Sequence, residues 1–355
     1  MSSITQFTSS EQKAIANKTT LPRFITVPIG IGAMVVAGEV SGYAWLSVSM
    51  IVIAAYMVFC WQSILHEAVH QMACSSRFMN VWGGRLLAMM GFTSYTLYRE
   101  VHKSHHAYMN RFTDVELWPY VDPKVPLWFR RCFVWFDLLF GVLATPLIFA
   151  RAYLSRNSPI KDHSIRCTIR TELLCMIAFW ALVWSVTTYL GTWRNHAFGV
   201  LLPLFLAGVI QTTRKLTEHL GMKSYDPLLG TRTVVPGNLL IKTASFLNFD
   251  LFVHGPHHRH PRLANDGLAP KMCEYVEQHR DINYPVFPTY WRASFAMLPY
   301  LFNPGSGMNA GAPPPGRLKK SGQLDFVGDV VEEILADESP SVTDDVTKDA
   351  RESAH

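Results

Sequence analysis

Residues 63–77 read SILHEAVHQMACSSR and close a long apolar run. They set His66 and His70 four residues apart. On a helix that spacing puts both imidazoles on one face, one turn apart. Two converging imidazoles are half a metal site, so the reading of the chain turns on what supplies the other half. The stretch also fits a different chemistry: His66, Glu67 and His70 match the H-E-x-x-H pattern of zinc proteases, with the glutamate as general base.

The surrounding composition points to a membrane. Of 355 residues, 49% are apolar and 17% charged, richer in apolar groups and poorer in charge than an ordinary soluble domain. Long uncharged runs favour membrane spans over one very large soluble core. The net charge of +5 is spread without a basic stripe interleaved with aromatics, which argues against nucleic acid as a partner. Cys60, Cys74, Cys132, Cys167, Cys175 and Cys273 form no C-x-x-C pair and read as apolar thiols rather than a disulfide frame. The N-terminus shows no cleavable signal pattern.

Outward from the histidine pair, the chain alternates apolar runs with polar, histidine-bearing segments. Residues 1–22 are polar and expected in the cytoplasm. Residues 24–38 and 43–61 are apolar runs about a turn at Glu39, Ser41 and Gly42. They form a first transmembrane hairpin, with His66 and His70 just beyond it. Residues 79–98 are interrupted by Gly83, Gly84, Arg85 and Gly91 and do not make a full span. A charged segment carrying His102, His105 and His106 follows. Residues 133–150 are apolar but broken by Asp137 and Pro146. The next loop, 151–170, carries Arg151, Arg156, Lys161, Arg166 and Arg170 against Asp162, which places it in the cytoplasm by the positive-inside rule. If the histidine segments share one site, residues 133–150 lie along the membrane or re-enter rather than cross.

Residues 173–190 and 198–210 form a second hairpin through the outer turn GTWRNHAFG, and His219 follows its exit. The expectation is an all-α integral membrane protein of two helical hairpins, about four spans. Residues 1–22 are the polar N-terminus, 23–302 the membrane domain and 303–355 an acidic tail. From Asp325 to Glu352 that tail carries ten acids and two bases and is expected to be disordered, with at most a short amphipathic helix in LDFVGDVVEEIL. No internal repeat is evident.

Fourteen histidines are present. A lone histidine is ordinarily a hydrogen-bonded or surface residue. Here eight fall into three groups: His66/His70, His102/His105/His106 and His254/His257/His258. The second and third share the spacing H-x-x-H-H, in which the doublet points adjacent rings to different sides, so one cluster can serve two ions. A single zinc takes three or four ligands; eight or nine imidazoles suit two metals. Imidazole accommodates iron, zinc, copper and nickel alike, so ligand type does not choose the metal.

H-x-x-x-H followed by two H-x-x-H-H boxes resembles the membrane fatty acid desaturase superfamily, over roughly residues 24–290. The resemblance implies two transmembrane hairpins under a cytoplasmic helical cap that holds a di-iron centre. It implies His66 and His70 as the first box, His102, His105 and His106 as the second, and His254, His257 and His258 as the third. His219, within Glu218-His219, matches a further family ligand. Some members carry an asparagine ligand four residues before that histidine; here the position is Lys215, a cation that cannot replace it. Asn248 matches an asparagine seen upstream of the third box. Glu67, Asp114, Glu116, Glu218 and Asp250 are candidates to hydrogen-bond the ligands, as is His260; each is otherwise an ordinary polar residue. Trp82, Trp118, Trp135, Tyr95 and Tyr98 could line a channel, or serve in packing or an interfacial belt.

The implied activity is O2-dependent introduction of a double bond into an acyl or lipid chain. Hydroxylation of a lipid or carotenoid, or desaturation of a small secondary metabolite, would use the same centre. With no H-P-G-G haem motif in the sequence, electrons are expected from a separate ferredoxin, or from cytochrome b5 with its reductase. The basic loop 151–170 and two hairpins that each return to their starting side put both termini and all histidine boxes on the cytoplasmic side. A zinc protease at HEAVH would leave six clustered histidines without a role. A metal sensor or transporter is a further alternative, although transporters carry their ionisable groups at mid-span.

Overall fold

The computed structural model describes residues 42–315 apart from residue 157, together with Phe24, Pro28, Ile29, Gly32 and Val36. The expectations for residues 1–22, for most of the apolar run 24–38 and for the acidic tail from residue 316 lie outside the described residues. What is described is mostly helical.

Helix α1, Ala44–Val69, runs unbroken for 26 residues, about 39 Å, with neither Gly nor Pro to interrupt it. The span expected to end near residue 61 therefore continues through the first histidine pair, and His66 sits in its last turn. The helix stops where Gln71 takes a positive φ of 59° and Met72 N returns to Glu67 O at 2.8 Å, a left-handed C-terminal cap.

Two helices of 14 residues follow, α2 (Arg77–Met90) and α3 (Tyr95–Tyr108). Each starts with a serine cap: Ser76 accepts from Met79 N at 3.3 Å, and Ser94 from Leu97 N at 3.1 Å. Glu172 ties the turn between them to α6 (His163–Tyr189). Its carboxylate accepts from Arg85 Nε (2.8 Å), Ser94 Oγ (2.6 Å) and Thr96 N (2.9 Å).

Residues 133–150 are not one segment. They divide into α4, Leu127–Leu139, and α5, Gly141–Leu154. The break is at Phe140 (φ −129°, ψ 41°) rather than at Asp137 or Pro146, and Pro146 lies within α5. At 13 and 14 residues each helix reaches about 20 Å, short of a hydrocarbon core of about 30 Å. Asp137 is fully buried, and its oxygens accept from Lys215 Nζ at 2.8 and 3.0 Å and from Tyr120 OH at 2.8 Å.

Among the described residues, three helices are long and apolar enough to cross a membrane: α1, α6 and α7 (Trp193–His219). Helix α7 contains a π turn at Ala197–Leu201. The second hairpin is longer than the runs 173–190 and 198–210 suggest. It takes in Arg166 and Arg170 on one side and His219 on the other, and its turn shrinks to residues 190–192, where Gly191 has a φ of 65°. On α6, Leu174, Ile177 and Leu182 each leave 60% or more of their surface exposed, an apolar face suited to lipid. Helices α5 and α7 cross at Gly141 and Gly208: a Cβ on Gly208 would stand 2.8 Å from Val142 N, and one on Gly141 would strike Thr212 Oγ1.

Two short strands depart from the all-α expectation. β1 (Thr233–Val234) and β2 (Val286–Phe287) pair in parallel within a polar-side layer of α8 (Leu239–Leu247), α9 (His254–Arg259), α10 (Asn265–Gln278) and α11 (Tyr290–Met297). Residues 303–315, assigned to the tail by composition, pack on the body instead. Ser306 Oγ donates to His219 O at 2.6 Å, and Asn309 Nδ2 donates to Tyr120 O at 2.9 Å.

Candidate metal centre

The histidine segments meet at the shared end of α1 and α7. His66 and His70 come from the end of α1, His102, His105 and His106 from α3, His219 from the last residue of α7, and His254, His257 and His258 from α9. Two groups result. His66, His70, His102, His106 and His257 form one; His105, His219, His254 and His258 form the other. Within each, the ligand nitrogens all lie within 4.8 Å of one another. Each doublet is split, His105 from His106 and His258 from His257, because adjacent helical residues point about 100° apart.

The loop before α9 is built to aim it. Phe249 and Asp250 are both left-handed, with φ of 58° and 51°, and Phe249 is buried among Ile64, Leu65 and Leu87. Ser63 Oγ donates to Asn248 Oδ1 at 2.5 Å, which joins this loop to α1 one turn before His66. Asp250 accepts from Ser245 Oγ at 2.6 Å and so serves the turn. His260 bonds Tyr275 OH at 2.7 Å and belongs to neither group.

The nitrogen geometry suits a shared cation. His102 Nε2 lies 3.0 Å from His66 Nε2, 3.2 Å from His70 Nε2 and 3.1 Å from His106 Nε2. His254 Nε2 lies 2.8 Å from His219 Nε2 and 3.0 Å from His258 Nε2. One ring nitrogen carries at most one proton, so hydrogen bonds cannot satisfy three such neighbours at once. Cis ligands at about 2.1 Å from a common metal stand about 3.0 Å apart, which is the spacing seen. His257 Nε2 is buried with no hydrogen-bond partner among the described residues, and none of the nine histidines is more than 4% exposed. The donor set fits two metal ions.

Burial first, and the neighbouring imidazoles second, push His106, His257 and His258 well below the ordinary histidine value. These rings are neutral, the form that binds metal. Two acids from the loop after α3 hold the outer nitrogens. Glu116 Oε2 lies 2.9 Å from His102 Nδ1, and Asp114 Oδ2 lies 2.8 Å from His105 Nδ1. Burial would raise the Glu116 carboxyl, but His102 and His105 outweigh it and hold it down to about 2. Burial would likewise lower His105, and Asp114 overturns it, raising that imidazole. Such carboxylate contacts fix the tautomer and orientation of a ligand ring. Glu67 Oε1 approaches His66 Nδ1 at 3.3 Å, and Glu218 Oε2 approaches His254 Nε2 at 3.4 Å.

Three features were not anticipated from the sequence. Lys215 is ion-paired with the buried Asp137. Arg214, only 6% exposed, lies within the site, 3.8 Å from Glu218. Tyr98 stacks on His102 at 5.3 Å between ring centroids. Only the first lacks a local signal, since Asp137 lies 78 residues from Lys215; Arg214–Glu218 and Tyr98–His102 are each four residues apart on one helix, a spacing the sequence does show. The other aromatic candidates divide: Tyr95 is buried in packing, whereas Trp82 and Trp135 are exposed on the outer surface.

A family model described as Fatty acid desaturase matches residues 43–304. Comparison with individual curated proteins gives no match.

Proposed function

The chain belongs to the fatty acid desaturase family, and from that premise we propose that it is a membrane-bound oxidoreductase that uses two iron ions and O2 to introduce a double bond into an acyl or lipid chain. The observation that carries this reading is the pair of buried imidazole groups, five and four rings, at the ends of apolar helices. His66, His70, His102, His106 and His257 would hold one iron, and His105, His219, His254 and His258 the other. Bound there, the irons would supply the oxidising power, drawn from O2 and two electrons, that removes hydrogen from an unactivated C–H bond. The chain itself supplies position and exclusion of water. Glu116 and Asp114 keep protons on the outer nitrogens of His102 and His105, leaving the inner nitrogens free as ligands.

Parity favours four spans. Helices α1 and α7 both end at the histidines, so they run the same way, and α6 returns between them. A crossing by residues 24–38 would then bring the N-terminus to the histidine side. The basic residues between α5 and α6 favour the cytoplasm for that side. The Asp137–Lys215 pair ties α4 to the exit of α7, which supports a segment that does not cross. Electrons would come from a separate ferredoxin or cytochrome b5.

The HEAVH zinc-protease reading is disfavoured because three further imidazoles crowd the same group, more than a catalytic zinc takes.

The test is to express the chain in a host, profile lipids and metabolites by mass, and measure metal in the purified protein. About two irons per chain and a product two mass units lighter support desaturation; a gain of one oxygen means hydroxylation. One zinc and no iron, or full activity in His105→Ala, would sink the di-iron reading.

A further inference from the structure

A cavity of about 120 Å³ lies against His66, walled by α1, α5 and α7. Leu204, Gly208, Pro146 and Ile148 give it an apolar side suited to a hydrocarbon chain. The other side is polar, with Gln211, Thr93, Thr212, Arg214, Glu116 and Lys215 in the wall. Three of these side chains carry buried atoms without a hydrogen-bond partner among the described residues: Thr93 Oγ1, Thr212 Oγ1, and Nε and Nη1 of Arg214. Thr212 is 1% exposed and Arg214 6%. A guanidinium donates and never accepts, so Arg214 calls for an acceptor. A plain alkyl chain in this cavity would leave those donors desolvated and unmatched, the costly outcome for a buried polar group. The acceptor need not be an anion. The carboxyl of Glu218 already lies 3.8 Å from Arg214 Nη1; Glu116 lines the same cavity, and Lys215, the other cation in its wall, is paired with Asp137, so a further carboxylate here would crowd acids already present.

We propose that the cavity binds a lipid chain bearing a neutral oxygen function, a hydroxyl or a carbonyl, close to the carbon that reacts, with Arg214 and Thr212 holding that oxygen. The proximity follows from the shared wall: His66 and Tyr98 line the same cavity, and Tyr98 stacks on His102. The proposal rests on the desaturase reading for the word "reacts", but the binding chemistry does not require iron.

The test uses the full chain purified in detergent micelles and three matched C18 probes: the alkane, the mid-chain ketone and the carboxylic acid. Affinity is read from tryptophan fluorescence, and iron is measured in the same preparations. The ketone is expected to bind about ten-fold or more tighter than the alkane, the effect of one or more hydrogen bonds. Thr212→Val should remove much of that preference while leaving alkane binding unchanged, and Arg214→Met should remove more. Equal binding of ketone and alkane, or a preference unmoved in both variants, means that water satisfies these groups and overturns the proposal. So does tightest binding by the acid. A preparation with ketone preference but without iron refutes the metal reading and keeps the cavity; two irons without preference refute the cavity alone.

Discussion

Removing one member of the Asp137–Lys215 pair should destabilise the protein far more than removing both. Asp137 is completely buried, and the Lys215 side chain is 13% exposed. The carboxylate accepts two contacts from Nζ and one from Tyr120. Lys215→Met leaves that carboxylate with Tyr120 as its donor, and Asp137→Asn leaves a buried ammonium without its direct ion-pair partner. Stranding one buried charge costs about 3–5 kcal/mol. The double variant strands none and keeps a side-chain oxygen for Tyr120, so it should cost about 1–2 kcal/mol. The singles then sum to at least about 6 kcal/mol, and the coupling in a double-mutant cycle is at least about 4 kcal/mol. The assay is reversible unfolding in mixed micelles followed by tryptophan fluorescence, with iron content as a control for the site. Single effects that add to within about 0.5 kcal/mol would refute the reasoning: the lysine would then not be committed to Asp137, and a role nearer the metals would have to be found for it.

Three further outcomes follow from the site. His258→Ala should lose about one metal per chain, whereas His260→Ala, whose ring bonds Tyr275, should keep both; elemental analysis of the purified variants separates them. Glu116→Gln should weaken metal retention about 10–100-fold against a chelator by freeing the His102 ring, without changing the number of ions bound at saturation. Gly208→Val should part α5 from α7, since even a Cβ meets Val142 N at 2.8 Å; the expected loss is about 1–3 kcal/mol, read in the same unfolding assay.

The candidate ligands were legible in the sequence because each box encodes its own geometry. His66 and His70 are one helical turn apart, and His102/His106 and His254/His258 repeat that spacing. Adjacent rings such as His105 and His106 must diverge, so two groups could be read from one doublet. The apolar runs of α6 and α7 were legible for the same local reason, although their ends were not. Hydropathy fades before the helix does, and the polar last turns of α1 and α7 hold His66 and His219.

The remaining features depend on contacts that no spacing records. Residues 133–150 look like one broken span. The partner of Asp137 is 78 residues away, and only that partner turns an apparent defect into a buried ion pair. Residues 303–315 look like tail because they are rich in Gly and Pro, yet Ser306 and Asn309 bond backbone carbonyls that the fold brings to them. Among the acids, Asp114 and Glu116 stand in a loop without periodicity, so nothing local distinguishes them from surface charge until His105 and His102 are seen opposite. Spacing alone marked the eight boxed imidazoles and the apolar runs beside them, since both are set by residues close in sequence; the fold divided these rings, with His219, into groups of five and four. The tertiary structure alone decided what Lys215 does, which carboxylates orient the rings and how polar the cavity beside His66 is, because each depends on which distant side chains share a buried space.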